Sequence, residues 1–150
     1  MHIIVFNALL LATCGYAWWA GGQPEKVIAG LLLAGCAATY AVPFDPSSSF
    51  HRVEIVTLVI DLTAMAGFTA VALLANRFWP LWFAAIHLLT IAVHGAKGYD
   101  PGLVSTVYAV ATAKLAYPML VVLAVGAMRH RDRRRRVPNV ADWSFVEARN

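Results

Sequence analysis

Two histidines, His87 and His94, stand seven residues apart in the apolar stretch FAAIHLLTIAVHGAKGYDPG. Seven residues make two helical turns, so a helix presents both rings on one face. Two further ionisable residues lie deep in apolar runs, Asp61 in LVIDLTAMAG and Lys114 in AVATAKLAYP. A carboxylate, an imidazole and an ammonium on neighbouring helices are the parts of a proton relay, an ion pathway or a buried ion pair. Charges of this kind cost on the order of 2.5–3.5 kcal/mol each at the centre of a membrane helix, so they are expected to meet partners.

Depth relates the three groups. At about 1.5 Å per residue from the outer ends of their segments, Asp61 lies about 12 Å deep, His87 about 14 Å and Lys114 about 16 Å. An intramembrane polar layer of Asp61, His87 and Lys114 is therefore expected, with the aspartate and lysine paired and the histidine beside them. Thr57 falls on the face of Asp61, Thr90 and His94 on that of His87, and Tyr117 on that of Lys114. The stripe His87, Thr90, His94 and Lys97 suggests a polar seam opening toward the outside.

The same residues argue against several chemistries. A bis-histidine haem takes its ligands from opposite sides of the ring, which two histidines on one helix face do not provide. Apart from His2 at the start, no other apolar segment contains a histidine. There is no HExxH or carboxylate cluster, so no metal is expected. Cys14 and Cys36 form neither a CxxC pattern nor a disulfide framework. No nucleophile–base arrangement or glycine-rich phosphate loop appears, and an enzyme is not expected.

The elements that must hold these residues are membrane helices. The 150-residue chain is 60% hydrophobic and 13% charged, far more apolar than an ordinary soluble domain, and its mean hydropathy is +0.65. Five transmembrane helices are expected: Ile3–Ala20, Glu25–Val42, Val53–Ala75, Phe78–Ala96 and Leu103–Met128. Their separators, GGQPEK, PFDPSSSFHR, NR and KGYDPG, are rich in turn residues or charge. Residues 1–128 thus read as an all-α transmembrane bundle and 129–150 as a basic cytoplasmic tail. LLLATCG resembles a lipoprotein cleavage box ending at Cys14, but no Lys or Arg precedes it, so the first span is expected to remain.

Charge sets the expected orientation. Residues 129–150 hold seven of the twelve Lys and Arg residues, whereas the preceding 128 are neutral overall. The run RHRDRRRR keeps the C-terminus in the cytoplasm by the positive-inside rule, and five spans then leave the N-terminus outside. Lys26 and Arg77 fall inside, Arg52 and Lys97 outside. Trp18, Trp19, Trp79 and Trp82 fall at the cytoplasmic face, as an interfacial aromatic belt does. Arg129, Arg131, Arg133, Arg134, Arg135 and Arg136 are expected to contact anionic lipid headgroups. The basic balance reports topology, not a nucleic-acid partner. The closing residues NVADWSFVEARN suggest a short interfacial helix or a segment docked on a partner.

Small residues at four-residue spacing, Gly30, Ala34 and Ala38 or Ala109 and Ala113, suit close helix packing. Pro118 is expected to bend the fifth span. The leading expectation is a non-catalytic accessory subunit of a larger bacterial inner-membrane complex, such as an energy-converting assembly, with other integral membrane subunits as partners. One alternative is a small proton-coupled transporter or channel using the Asp/His/Lys layer. Another is a haem-, quinone- or pigment-binding protein. No cofactor is required by any motif, although a lipid, quinone or carotenoid could lie against Trp79, Trp82 and Phe83.

Overall fold

In the computed structural model the described residues are 2–42, 55–100, 105–137 and 141–147. Five long helices account for most of them: α1 (His2–Ala20), α2 (Gln23–Ala41), α3 (Ile55–Leu74), α4 (Trp79–Tyr99) and α5 (Ser105–Arg136). A single turn, α6 (Ser144–Glu147), follows. The described residues contain no strand, and one isolated bridge pairs Ala75 with Trp143. The expected starts at Val53 and Leu103, and Arg52, lie outside the described residues.

Four helices, α1, α3, α4 and α5, are long and apolar enough to cross a membrane. α2 differs because Gln23, Glu25 and Lys26 occupy its first turns, which shortens its apolar run. Turn chemistry explains where these helices begin. The Glu25 carboxylate accepts the N–H of Gly22 at 2.9 Å, the returning half of a capping box that opens α2. α4 carries Pro80 in its first turn, where the missing N–H costs nothing. α5 remains helical through Pro118. Its 32 residues extend about 48 Å, well beyond the roughly 30 Å of a hydrocarbon core, so its arginine-rich turns project past the bundle.

The helices form a closed ring in chain order. Each packs on its sequence neighbours, and α5 closes the ring against α1. Successive helices run antiparallel, with only residues 21–22 between α1 and α2 and residues 75–78 between α3 and α4. One end therefore gathers the α1–α2 and α3–α4 turns with the arginine-rich end of α5, and the other gathers the start of α1 with the end of α4. The core between them is built from Leu10 and Cys14 of α1, Ile28 of α2, Phe68 of α3, Phe83 of α4 and Leu120 and Leu123 of α5. Phe68 and Phe83 meet edge to face at 4.8 Å. Many large apolar side chains face outward instead, Ile4 at 75% and Leu73 at 71% exposure among them, the arrangement that lipid solvates and water does not. Ala34 and Ala38 also face outward, so the small-residue stripe of α2 leaves the bundle after Gly30.

Candidate functional site

Asp61, one and a half turns into α3, faces α4. The His94 Nε2 lies 3.0 Å from Asp61 Oδ2, and the Tyr108 hydroxyl lies 2.6 Å from His94 Nδ1. One tautomer satisfies every group: Nε2–H donates to the carboxylate, and Nδ1 accepts the tyrosine O–H. His87, two turns earlier on α4, places Nε2 3.0 Å from the backbone carbonyl oxygen of Asp61 and its ring edge-to-face with Phe68 at 5.0 Å. His87, Thr90, His94 and Lys97 are all buried. The stripe read from the sequence is thus an inward-facing seam against α3 and α5. Thr57, one turn before Asp61, is half-buried.

Lys114 departs from the expected layer. It is exposed, in a groove between α4 and α5, with its ammonium 5.6 Å from the Tyr117 ring centroid. The reason is azimuth. Tyr108 faces inward, and six residues later a helix of 3.6 residues per turn has rotated by about 240°. Lys114 therefore points away from Asp61 although its height is suitable. The polar layer keeps Asp61 and His87 and takes His94 and Tyr108 in place of Lys114. Tyr117 also packs edge-to-face with Phe6 of α1, at 5.5 Å.

A second polar cluster lies at the opposite end of the bundle. Arg77, in the α3–α4 turn, donates from Nη1 to Glu25 Oε1 at 2.8 Å and from Nη2 to Asp142 Oδ1. The Trp79 indole N–H donates to the same Glu25 oxygen at 3.1 Å, and the Gln23 N–H donates to Asp142 Oδ2 at 2.9 Å. Glu25 and the Arg77 side chain are almost completely buried. His130 Nδ1 stands 3.8 Å from Asp142 Oδ1. It and Arg77 Nε are buried without a hydrogen-bond partner among the described residues.

Asp142 belongs to the tail, which folds back on its own chain. The Asn76 N–H donates to the Asp142 carbonyl at 3.1 Å, and the Ser144 hydroxyl donates to the Leu74 carbonyl at 3.0 Å. Gly22 is needed for this approach, since a Cβ there would lie 2.6 Å from Asp142 Oδ1 and 2.7 Å from His130 Cε1. Glu25 at the start of the second span, Arg77 in a loop and Asp142 in the tail are far apart in sequence. The available signal was that the first two border spans at one common end.

The aromatic belt is divided. Trp18, Trp19 and Trp82 are exposed at this end. Trp79 turns inward to Glu25 and packs on Gly126, where a Cβ would meet its indole at 2.7 Å. The Arg131 guanidinium lies 4.8 Å from the Trp19 ring centroid. Arg131, Arg134 and Arg135 line a shallow groove of about 320 Å³ with Trp19 and Ala20, whereas Arg129, Arg133 and Arg136 are exposed elsewhere on the helix.

Compared with family models, curated proteins and solved structures, the chain gives no match. The Tyr108–His94–Asp61 chain can pass a proton from a phenol through an imidazole to a carboxylate, but Tyr108 is 2% exposed and shielded from any approaching substrate. Between this layer and the Glu25–Arg77 cluster, the interior is filled by Phe68, Phe83, Leu120 and Leu123. Among the described residues, no three His, Cys, Asp or Glu side chains gather as metal ligands.

Proposed function

We propose that the chain is a non-catalytic accessory subunit of a larger bacterial inner-membrane complex, with energy-converting assemblies as the class of host. The observation that carries this reading is the separation of its two polar clusters. Each is occupied mainly by the chain's own side chains, and the apolar layer around Phe68 and Phe83 lies between them. Polar groups so arranged hold helices together, and the outward-facing apolar helices supply surface for lipid and other subunits.

In this reading all five long helices span the membrane, α2 included. Support comes from the place of α2 in the ring between α1 and α3 and from a length of about 28 Å for its 19 residues. The N-terminus is outside and the C-terminus in the cytoplasm, because Lys26, Arg77 and the Arg129–Arg136 run share one end. Extraction in a mild detergent is expected to yield a particle much larger than 16.3 kDa, containing other polypeptides in fixed ratio. Recovery as a lone monomer rejects the proposal.

The Tyr108–His94–Asp61 chain favours one second reading, a proton-coupled transporter. Proteoliposomes holding the purified chain and a pH-sensitive dye distinguish the two. The transporter requires proton flux that Asp61→Asn abolishes while the protein stays folded. The subunit reading expects no flux from either form.

A further inference from the structure

Lys114 is a cation at membrane depth that turns away from its own bundle. It lies about 14 Å along α5 from Ser105, at 1.5 Å per residue, and its side chain is exposed. The Tyr117 ring, 5.6 Å from its ammonium, offsets part of the desolvation of a cation but supplies no counter-charge. Among the described residues no carboxylate pairs with it. A lysine in this position, surrounded by hydrocarbon, is stabilised by an anionic group at its own level.

The surroundings have the form of a helix seat. Lys114 borders a groove of about 530 Å³ between α4 and α5, with Ala92, Ala96 and Ala111 along it and Leu89 and Leu115 beside them. Alanines let a neighbouring backbone approach closely, and the leucines provide packing. A second copy of the chain does not supply the missing charge. Asp61, its carboxylate at comparable depth, is held by His94 at 3.0 Å, and Glu25 is sealed against Arg77 at the other end. An anionic lipid keeps its phosphate in the headgroup layer, well above this level.

The geometry points to the α4/α5 groove as the docking site for a transmembrane helix of a different chain, one that carries an Asp or Glu side chain level with Lys114. The assignment rests on the subunit reading for the existence of such a partner and adds the face and the chemistry of contact.

The test uses the full chain, donor-labelled at its C-terminus, in phosphatidylcholine vesicles. The probes are acceptor-labelled polyleucine transmembrane peptides, one with a single central Glu and one without. Energy transfer is expected to show the Glu peptide associating about three- to thirty-fold more tightly, the range that interhelical polar contacts give. Lys114→Gln should remove that preference. Ala96→Leu, which fills the groove and leaves the lysine in place, should weaken association of the Glu peptide, while Ala66→Leu on an exposed face of α3 should not.

Equal association of the two peptides overturns the proposal, as does a preference that survives Lys114→Gln, the result expected if the lysine snorkels to the interface. Lys114-dependent energy transfer between differently labelled copies of the chain overturns it in favour of self-association. Because the peptides replace the natural partner, the result is separable from co-purification. A lone monomer that still prefers the Glu peptide fails as a subunit but keeps the groove. A subunit of a larger particle that is indifferent to the Glu peptide keeps its membership and loses the groove.

Discussion

Asp61 of α3 and His94 of α4 meet at 3.0 Å across 33 residues of sequence, and the imidazole is buried. The aspartate is the acceptor that fixes the histidine tautomer. Asp61→Asn retains a side-chain oxygen for the Nε2–H and should lower stability only slightly. Asp61→Ala leaves a buried donor unpaired and should cost about 1–3 kcal/mol. Denaturation of the purified protein in mixed micelles, followed by helical circular dichroism, provides the comparison.

Tyr108 extends the same chain through the other imidazole nitrogen. A double-mutant cycle with His94→Ala and Tyr108→Phe should give a coupling energy of about 0.6 kcal/mol, with about 1.7 as the upper end seen for membrane hydrogen bonds. Its measurement needs the same denaturation curves for wild type, both single variants and the double. A coupling of zero would mean that the 2.6 Å contact contributes nothing to the folded state.

Residue heights were legible in the sequence, and residue azimuths were not. Rise along the spans puts Asp61, His87 and Lys114 in one layer, but rise says nothing about rotation about the helix axis. His87 reaches the backbone carbonyl of Asp61, whereas Lys114 lies about 120° around α5 from the face that Tyr108 presents. Trp79 shows the same limit. Its height suited an interfacial belt, but its indole turns inward to Glu25. Apolar run length locates the five long helices, because bilayer thickness constrains it directly. It ends the fifth at Met128, however, whereas α5 continues to Arg136 through the arginine run, whose polar turns carry no apolar signal. The Glu25–Arg77–Asp142 cluster depends on where the tail returns, and no local pattern encodes a contact between residues 23 and 142.

Arg77 holds two carboxylates at once, Glu25 and Asp142. Removing it strands the buried Glu25 charge, so Arg77→Ala should cost about 3–5 kcal/mol, the range for breaking a buried pair from one side. Arg77→Lys should recover only part of this, because a single ammonium does not reproduce a planar fork reaching two partners. Thermal aggregation in detergent, read by size-exclusion after heating, should rank the proteins wild type, then Lys, then Ala.

The inward turn of Trp79 separates it from its neighbours in a way that fluorescence can read. In single-tryptophan variants reconstituted with brominated lipids, Trp19 and Trp82 should be quenched strongly and Trp79 weakly. Gly126→Ala places a methyl group where the Trp79 indole lies, so that ring must shift away from Glu25. Its quenching should then rise toward that of Trp82. Unchanged quenching in Gly126→Ala would show that the indole does not pack on this glycine.

The return of the tail makes a local and a distant substitution converge on one amide. Asp142 accepts the Gln23 N–H through its side chain and meets Arg77, while its backbone carbonyl accepts the Asn76 N–H. Asp142→Ala removes the side-chain anchors and leaves that backbone acceptor chemically intact. If the anchors hold the tail in place, hydrogen exchange at the Asn76 amide should nevertheless accelerate about ten-fold or more, since losing one charged hydrogen bond is worth about 1.5–3 kcal/mol. Gly22→Ala should accelerate the same amide, because its methyl group would displace Asp142 and His130 from the α1–α2 turn. Exchange at amides in the middle of α3 should not change in either variant. Acceleration there would instead mean that the substitutions loosen the whole bundle, and that the tail is a structural keystone and not a separately releasable strap.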